Sequence, residues 1–194
     1  MLISSIARRV IRAFSTSPSA SDKFTHLSST RSSCYHLTLH QYQHSKTGAR
    51  VYHFDKKDPE KAFASIVRTF PLNNKGCPHI LEHLACCGSH KYPIRDPFFN
   101  MIKRSVNSYM NAWTGDDFTA YPFSSANPKD WNNLYQVYLD FTLRPLLNRL
   151  DFMQEGWREE ISEEGSREIK GIVFNEMKGA YQDSDRQMMT TINE

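Results

Sequence analysis

His79-Ile80-Leu81-Glu82-His83 places two imidazoles and a carboxylate on one face of a helical turn and a half. Residues four apart on a helix lie one above the other, so His79 and His83 can turn a ring nitrogen toward one point. That is how two histidines hold a tetrahedral zinc ion. Glu82 follows His79 by three positions on the same side, where it can take a proton from a metal-bound water and later return it to a leaving amine. The stretch reads as the core of a hydrolytic zinc site, with His79 and His83 as ligands and Glu82 as general base. The same residues on a polar helix face would be ordinary surface groups, so the rest of the chain has to decide.

A catalytic zinc takes three protein ligands and keeps a fourth position open. Glu176 is the best third candidate, in the predicted helix Ile172-Val173-Phe174-Asn175-Glu176-Met177-Lys178, where the mostly apolar surroundings make an unpaired carboxylate costly. The pattern equally allows Glu176 to face solvent beside Lys178 and Gln182. Cys77 lies two positions before His79, a spacing that points it away from the histidine face once the helix has begun, and it reads as a buried or reactive thiol. Cys86 and Cys87 close the helix before Gly88, a natural C-terminal cap.

Upstream, Cys34 to Lys56 reads as a hairpin: Tyr35, Leu37 and Leu39 alternate with polar residues, Lys46-Thr47-Gly48 turns, and Val51 to Phe54 returns. Ala62 to Phe70 reads as a further strand, and 71–76 as the loop into the histidine helix. Downstream, Asp96-Pro97 opens a short helix through Lys103. Val106 to Thr114 and Phe118 to Phe123 read as two strands joined at Gly115-Asp116. Asn127-Pro128 pairs a capping Asn with Pro at the first helical position. The stripe Trp131, Leu134, Tyr135, Tyr138 and Phe141 then marks a buried helix face. Trp157 to Lys170 reads as a charged loop, and Gly171 to Met189 as a helix. Strands and helices mixed without strict alternation predict an α+β fold, with a mixed, largely antiparallel sheet flanked by helices.

Composition bounds the function. The 194 residues are 39 % hydrophobic and 23 % charged, enough for an ordinary domain core. With a mean hydropathy of -0.59 and no apolar run near eighteen residues, no membrane-spanning helix is expected. The first 21 residues carry Arg8, Arg9 and Arg12, are rich in Ser and hold no acid, which is the composition of a mitochondrial transit peptide. Cleavage after Phe14 and delivery to the matrix are expected. Without those three arginines the cations equal the 21 acids, leaving no basic footprint for nucleic acid. Four cysteines without C-x-x-C spacing suggest no disulfide framework. Residues 22–194 read as one zinc-peptidase domain, and the stop at Glu194 within a helical pattern suggests that it is incomplete at its C-terminus.

Longer blocks carry a resemblance. Pro78 to His83, Cys87-Gly88-Ser89-His90-Lys91-Tyr92-Pro93, Asp96-Pro97-Phe98-Phe99, Gln154-Glu155-Gly156-Trp157 and Gly171 to Gly179 resemble the organellar, oligopeptide-degrading branch of the pitrilysin-type zinc metallopeptidases, the inverzincins with the H-x-x-E-H order. The resemblance spans about residues 30 to 185. It implies a pitrilysin-like fold, one Zn2+ on His79, His83 and Glu176, and Glu82 as base. It also implies degradation of unfolded peptides, including cleaved mitochondrial targeting sequences. The gap of 93 positions between His83 and Glu176 (176 minus 83) suits that branch better than the processing peptidases, the nearest enzymatic alternative. Tyr109 to Trp113 resembles the family's substrate-pairing edge strand, which makes Asn111 and Ala112 candidate peptide contacts. Family members are several times longer, so the partners implied are peptide substrates and the missing C-terminal half. A truncated form that binds zinc or peptide without turnover is the non-enzymatic alternative.

Overall fold

The computed structural model describes residues 23–183 and Met188. The transit-peptide reading of residues 1–21 falls outside them, as does most of the last predicted helix beyond residue 183. The chain divides into two compact units, one ending at Pro59 and the other beginning at Glu60. All described strand pairings are antiparallel, and the class is α+β as expected, without the parallel component that "mixed" allowed. No helix among the described residues is long and apolar enough to cross a membrane.

The first unit is a three-stranded meander of β1 (Phe24–Ser32), β2 (Leu37–His44) and β3 (Arg50–Asp55). The β2–β3 hairpin matches the sequence reading, with Gly48 at φ 72° in the turn, where the left-handed backbone favours glycine. β1 was not anticipated. Its Ser- and Thr-rich run FTHLSSTRS has no clean alternation to betray a buried face, and most of it is exposed. Tyr35, expected on a strand, lies in the β1–β2 turn, which closes through His36 at φ 51°.

The second unit is built on β7 (Phe118–Ser125), which pairs with β4 (Lys61–Arg68) on one edge and with the short β5 (Tyr109–Met110) and β6 (Trp113–Thr114) on the other. The strand expected over Val106 to Thr114 is therefore two short ones. Asn111 bridges them, its amide donating to Pro122 O at 3.0 Å. Helix α1 (Cys77–Cys86) carries the histidines, α2 is Pro97–Arg104, and α3 is Pro128–Leu143. Asn127 caps α3 as its sequence requires, Oδ1 accepting from the Lys129 and Asp130 amides at 3.0 and 3.1 Å.

The predicted stripe on α3 is the core. Leu134, Tyr138 and Phe141 are fully buried against β7, with the Tyr138 and Phe141 rings 4.8 and 5.5 Å from those of Phe123 and Tyr121. Each such side chain contributes about 1.5–3 kcal/mol through burial. Ala85 and Cys86 bring α1 onto the same cluster. Burial pushes the Cys86 thiol well up, and it pushes Cys87 to about 12, so both are inert packing groups at neutral pH. Cys77 is exposed at the first position of α1, so the buried alternative for it fails. Gly88 follows the helix without a left-handed backbone. A Cβ there would meet Ile94 O at 3.1 Å, so close approach, and not the expected cap conformation, is what it supplies.

Asp140, buried on α3, clamps the loop after α1. Its Oδ2 accepts from the Lys91 amide at 2.7 Å and its Oδ1 from Arg144. Burial pushes its carboxyl up, but hydrogen bonds including these more than offset that and hold it below the usual carboxylate range. A lowered folded pKa gives stability that is present above the unfolded value of about 3.9 and lost as pH falls through the folded one. Asp140→Asn is expected to cost about 1–3 kcal/mol at pH 7. The gap between parent and variant should close below about pH 4, which chemical denaturation at several pH values would check.

Three further elements were unread. The charged segment taken as a loop is a hairpin, β8 (Arg158–Ile161) with β9 (Arg167–Lys170), turning at Gly165 with φ 81°. It shows no buried face because its pairing is between charges, Lys170 Nζ lying 3.0 Å from Glu160 Oε2 across the strands. Helix α4 (Arg149–Glu155) precedes it, and α5 (Ile172–Ala180) follows.

Candidate active site

Local sequence brings the first three groups together. Gly76 caps α1 with φ 71°, and Pro78 sits in the first turn, where its missing N–H costs nothing. From that start His79 and His83 share one face, their rings edge to face with centroids 4.9 Å apart. Glu82 is 6 % exposed, and Thr114 on β6 donates a hydroxyl to its Oε2 at 2.6 Å. Thr114 in turn lies 3.4 Å from the Thr119 hydroxyl, and Thr119 lies 2.8 Å from that of Thr69. Three hydroxyls thus run from the sheet to the buried carboxylate.

Glu176 arrives on α5. Its Oε2 lies 3.5 Å from His79 Nε2 and 3.6 Å from His83 Nε2, and the ligand atoms of the three residues all fall within 4.8 Å of one another. The edge of a tetrahedron with metal–ligand bonds near 2.0–2.2 Å is about 3.3–3.6 Å, and the two Glu176 distances match that edge for zinc. The donor chemistry fits as well. His83 Nδ1 lies 3.0 Å from Glu155 Oε2, and a carboxylate can only accept. The remaining Nε2 lone pair and the Glu176 carboxylate then face each other, and a cation between them would satisfy both. One expectation is corrected: Glu176 is 51 % exposed on its side chain, so the cost of burial is not what brings it to the histidines.

Two glycines lie where α5 comes close, one against backbone and one against a flexible side chain. Gly171 precedes it so closely to the chain after α4 that a Cβ would stand 2.0 Å from Gly156 O. At Gly76 a Cβ would meet Met177 Sδ at 2.5 Å, directly beside Glu176 in sequence.

Asn111 and Ala112 sit at the junction of β5 and β6. The Asn111 main chain is committed within the fold, its amide to Pro122 and its carbonyl to the Tyr138 hydroxyl at 3.3 Å, while its side chain is exposed. Ala112 packs in part against the core. Sequence reasoning missed the roles of Thr114 and Glu155. The one signal for Glu155 was an acid in the helix end Gln154-Glu155-Gly156; Thr114 had none, since strand pairing alone brings it to Glu82.

Comparison with known proteins agrees with this geometry. The family model described as "Insulinase (Peptidase family M16)" matches residues 68–187. The mitochondrial presequence protease of Mus musculus is 51 % identical over 156 residues, covering 77 % of this chain and 15 % of that protein. That of Drosophila melanogaster is 47 % identical over 154 residues, with the same shares. The crystal structure of pitrilysin shares the fold, with a TM-score of 0.55 at 22 % identity over 66 % of this chain and 14 % of that one. The chain therefore spans about 15 % of the length of those two presequence proteases. The paired histidines, the buried carboxylate between them and the family match lead to one assignment: this chain belongs to the insulinase family of peptidases, family M16.

Proposed function

We propose that this chain forms the catalytic segment of a mitochondrial zinc endopeptidase of the presequence-protease type, which degrades unfolded peptides, cleaved targeting sequences among them, in the matrix. The observation that carries this reading is the convergence of His79, His83 and Glu176 beside the buried Glu82. Residues 1–21 act as the leader, with cleavage after Phe14, and the peptidase domain begins at residue 22. His79, His83 and Glu176 would hold a zinc ion, which would supply Lewis acidity toward a water molecule and the scissile carbonyl. Glu82 takes the proton of the attacking water at its carboxylate and passes it to the departing amine. Thr114 holds Glu82 Oε2, so the carboxylate is oriented before substrate arrives. An extended peptide pairs along β5 and β6, for which β7 is the one strand neighbour among the described residues. Ala112 offers the main chain for that pairing and Asn111 its side chain, because the Asn111 amide and carbonyl are already engaged.

The test is metal analysis with a peptide digest. The purified chain is expected to bind one zinc ion, and His79→Ala, His83→Ala or Glu176→Gln to weaken it by more than 100-fold. Digestion of an unfolded peptide, with the rest of a relative's chain supplied where turnover needs it, should yield many short fragments. A single cut would favour a processing peptidase, and zinc binding with no cleavage even when complemented would favour a binding role.

A further inference from the structure

We infer that Glu155 is the positioning residue of the metal centre: it holds the His83 ring by Nδ1 so that Nε2 faces Glu176 and His79. This rests on the zinc reading above and extends it to a residue that contacts no metal.

Glu155 ends α4 and is 7 % exposed, in a place where an uncompensated carboxylate would be costly. Each of its oxygens has a partner. Oε2 accepts from His83 Nδ1 at 3.0 Å, and Oε1 accepts from Gln154 Nε2 at 3.2 Å. The Gln154 carbonyl oxygen is in turn held by Arg95 at 2.5 Å. A guanidinium, a carboxamide, a carboxylate and an imidazole thus follow one another from the surface to the candidate metal point. Because a carboxylate has no proton to give, the pairing selects the Nδ1–H form of the ring and leaves the Nε2 lone pair free. It also fixes the ring plane, since a rotation about the Cβ–Cγ bond breaks the 3.0 Å contact. Carboxylates placed this way behind a metal-bound histidine set its tautomer and raise its basicity, and their loss typically weakens metal binding 10- to 100-fold. Gln154 and Arg95 act one step further out, by restraining the carboxylate itself.

In the full chain, Glu155→Gln is expected to raise the zinc dissociation constant 10- to 100-fold, read by competition with a chromophoric chelator. Gln154→Ala should raise it a few-fold, and the metal-free melting temperature of Gln154→Ala should stay near that of the parent. Unchanged zinc affinity in Glu155→Gln overturns the inference, as does a loss of affinity matched by loss of the metal-free fold. A measurement on the unsubstituted protein needs no variant: long-range 1H–15N spectra of the metal-free chain should show His83 as the Nδ1–H tautomer, and the Nε2–H form overturns the inference. Failure of the parent chain to bind zinc overturns the metal reading and this inference with it, an outcome distinct from equal affinity in parent and variant.

Discussion

Glu82→Gln is expected to keep zinc affinity within a few-fold of the parent and to lose peptide cleavage by about 10²–10⁴-fold, the range over which a positioned acid–base group contributes. The amide is nearly isosteric and can still accept from Thr114 through its carbonyl oxygen, so the fold around it should persist. It cannot take the proton of the attacking water. Steady-state cleavage of a quenched peptide, beside metal analysis of the same preparation, separates the two effects. Equal rates in parent and variant would remove Glu82 from the mechanism. Loss of zinc with loss of rate would make it a structural support for α1.

Gly171→Ala is expected to be the most damaging single-methyl change outside the candidate metal ligands. Its Cβ would fall 2.0 Å from Gly156 O and 2.8 Å from Trp157 Cα, and backbone cannot step aside as a flexible side chain can. Overpacking of this kind costs about 1–3 kcal/mol or more. It should also push α5, and Glu176 with it, away from the histidines, weakening zinc by more than 10-fold. Gly179→Ala on the same helix is the control: a Cβ there meets nothing within 4 Å, and the exchange should stabilise by roughly 0.5–1 kcal/mol. Denaturant unfolding and zinc competition on both variants check the pair, and equal stabilities would refute the close-approach account of Gly171.

The parts legible in the sequence share one property, that their cause is local. His79, Glu82 and His83 face one side because a helix repeats every 3.6 residues. Asn127-Pro128 starts α3 because the cap and the ring act within one turn, and the aromatic stripe is buried because it recurs at helical spacing. Gly48 turns the β2–β3 hairpin by its own backbone freedom. The unread parts lack such a signal. β1 is Ser- and Thr-rich with most of its residues exposed, and the β8–β9 hairpin pairs charges, so neither shows the alternation that a half-buried strand leaves. Val106 to Thr114 reads as one strand, yet its middle is spent on single hydrogen bonds, the Asn111 amide donating to Pro122 O and the Asn111 carbonyl accepting from the Tyr138 hydroxyl.

What the sequence determined by itself was the identity of the two histidines and the carboxylate between them, and, through longer blocks, Glu176 as the candidate third ligand. The tertiary structure decided how these become one site. Glu176 stands 3.5 and 3.6 Å from the imidazoles on a helix whose start is seated against the Gly156–Trp157 backbone at Gly171, where no Cβ fits. Thr114 reaches Glu82 through the pairing of β6 with β7, and Glu155 reaches His83 from the end of α4. Those groups lie 32 and 72 positions away along the chain, beyond any helical or strand period, so only packing could bring them together.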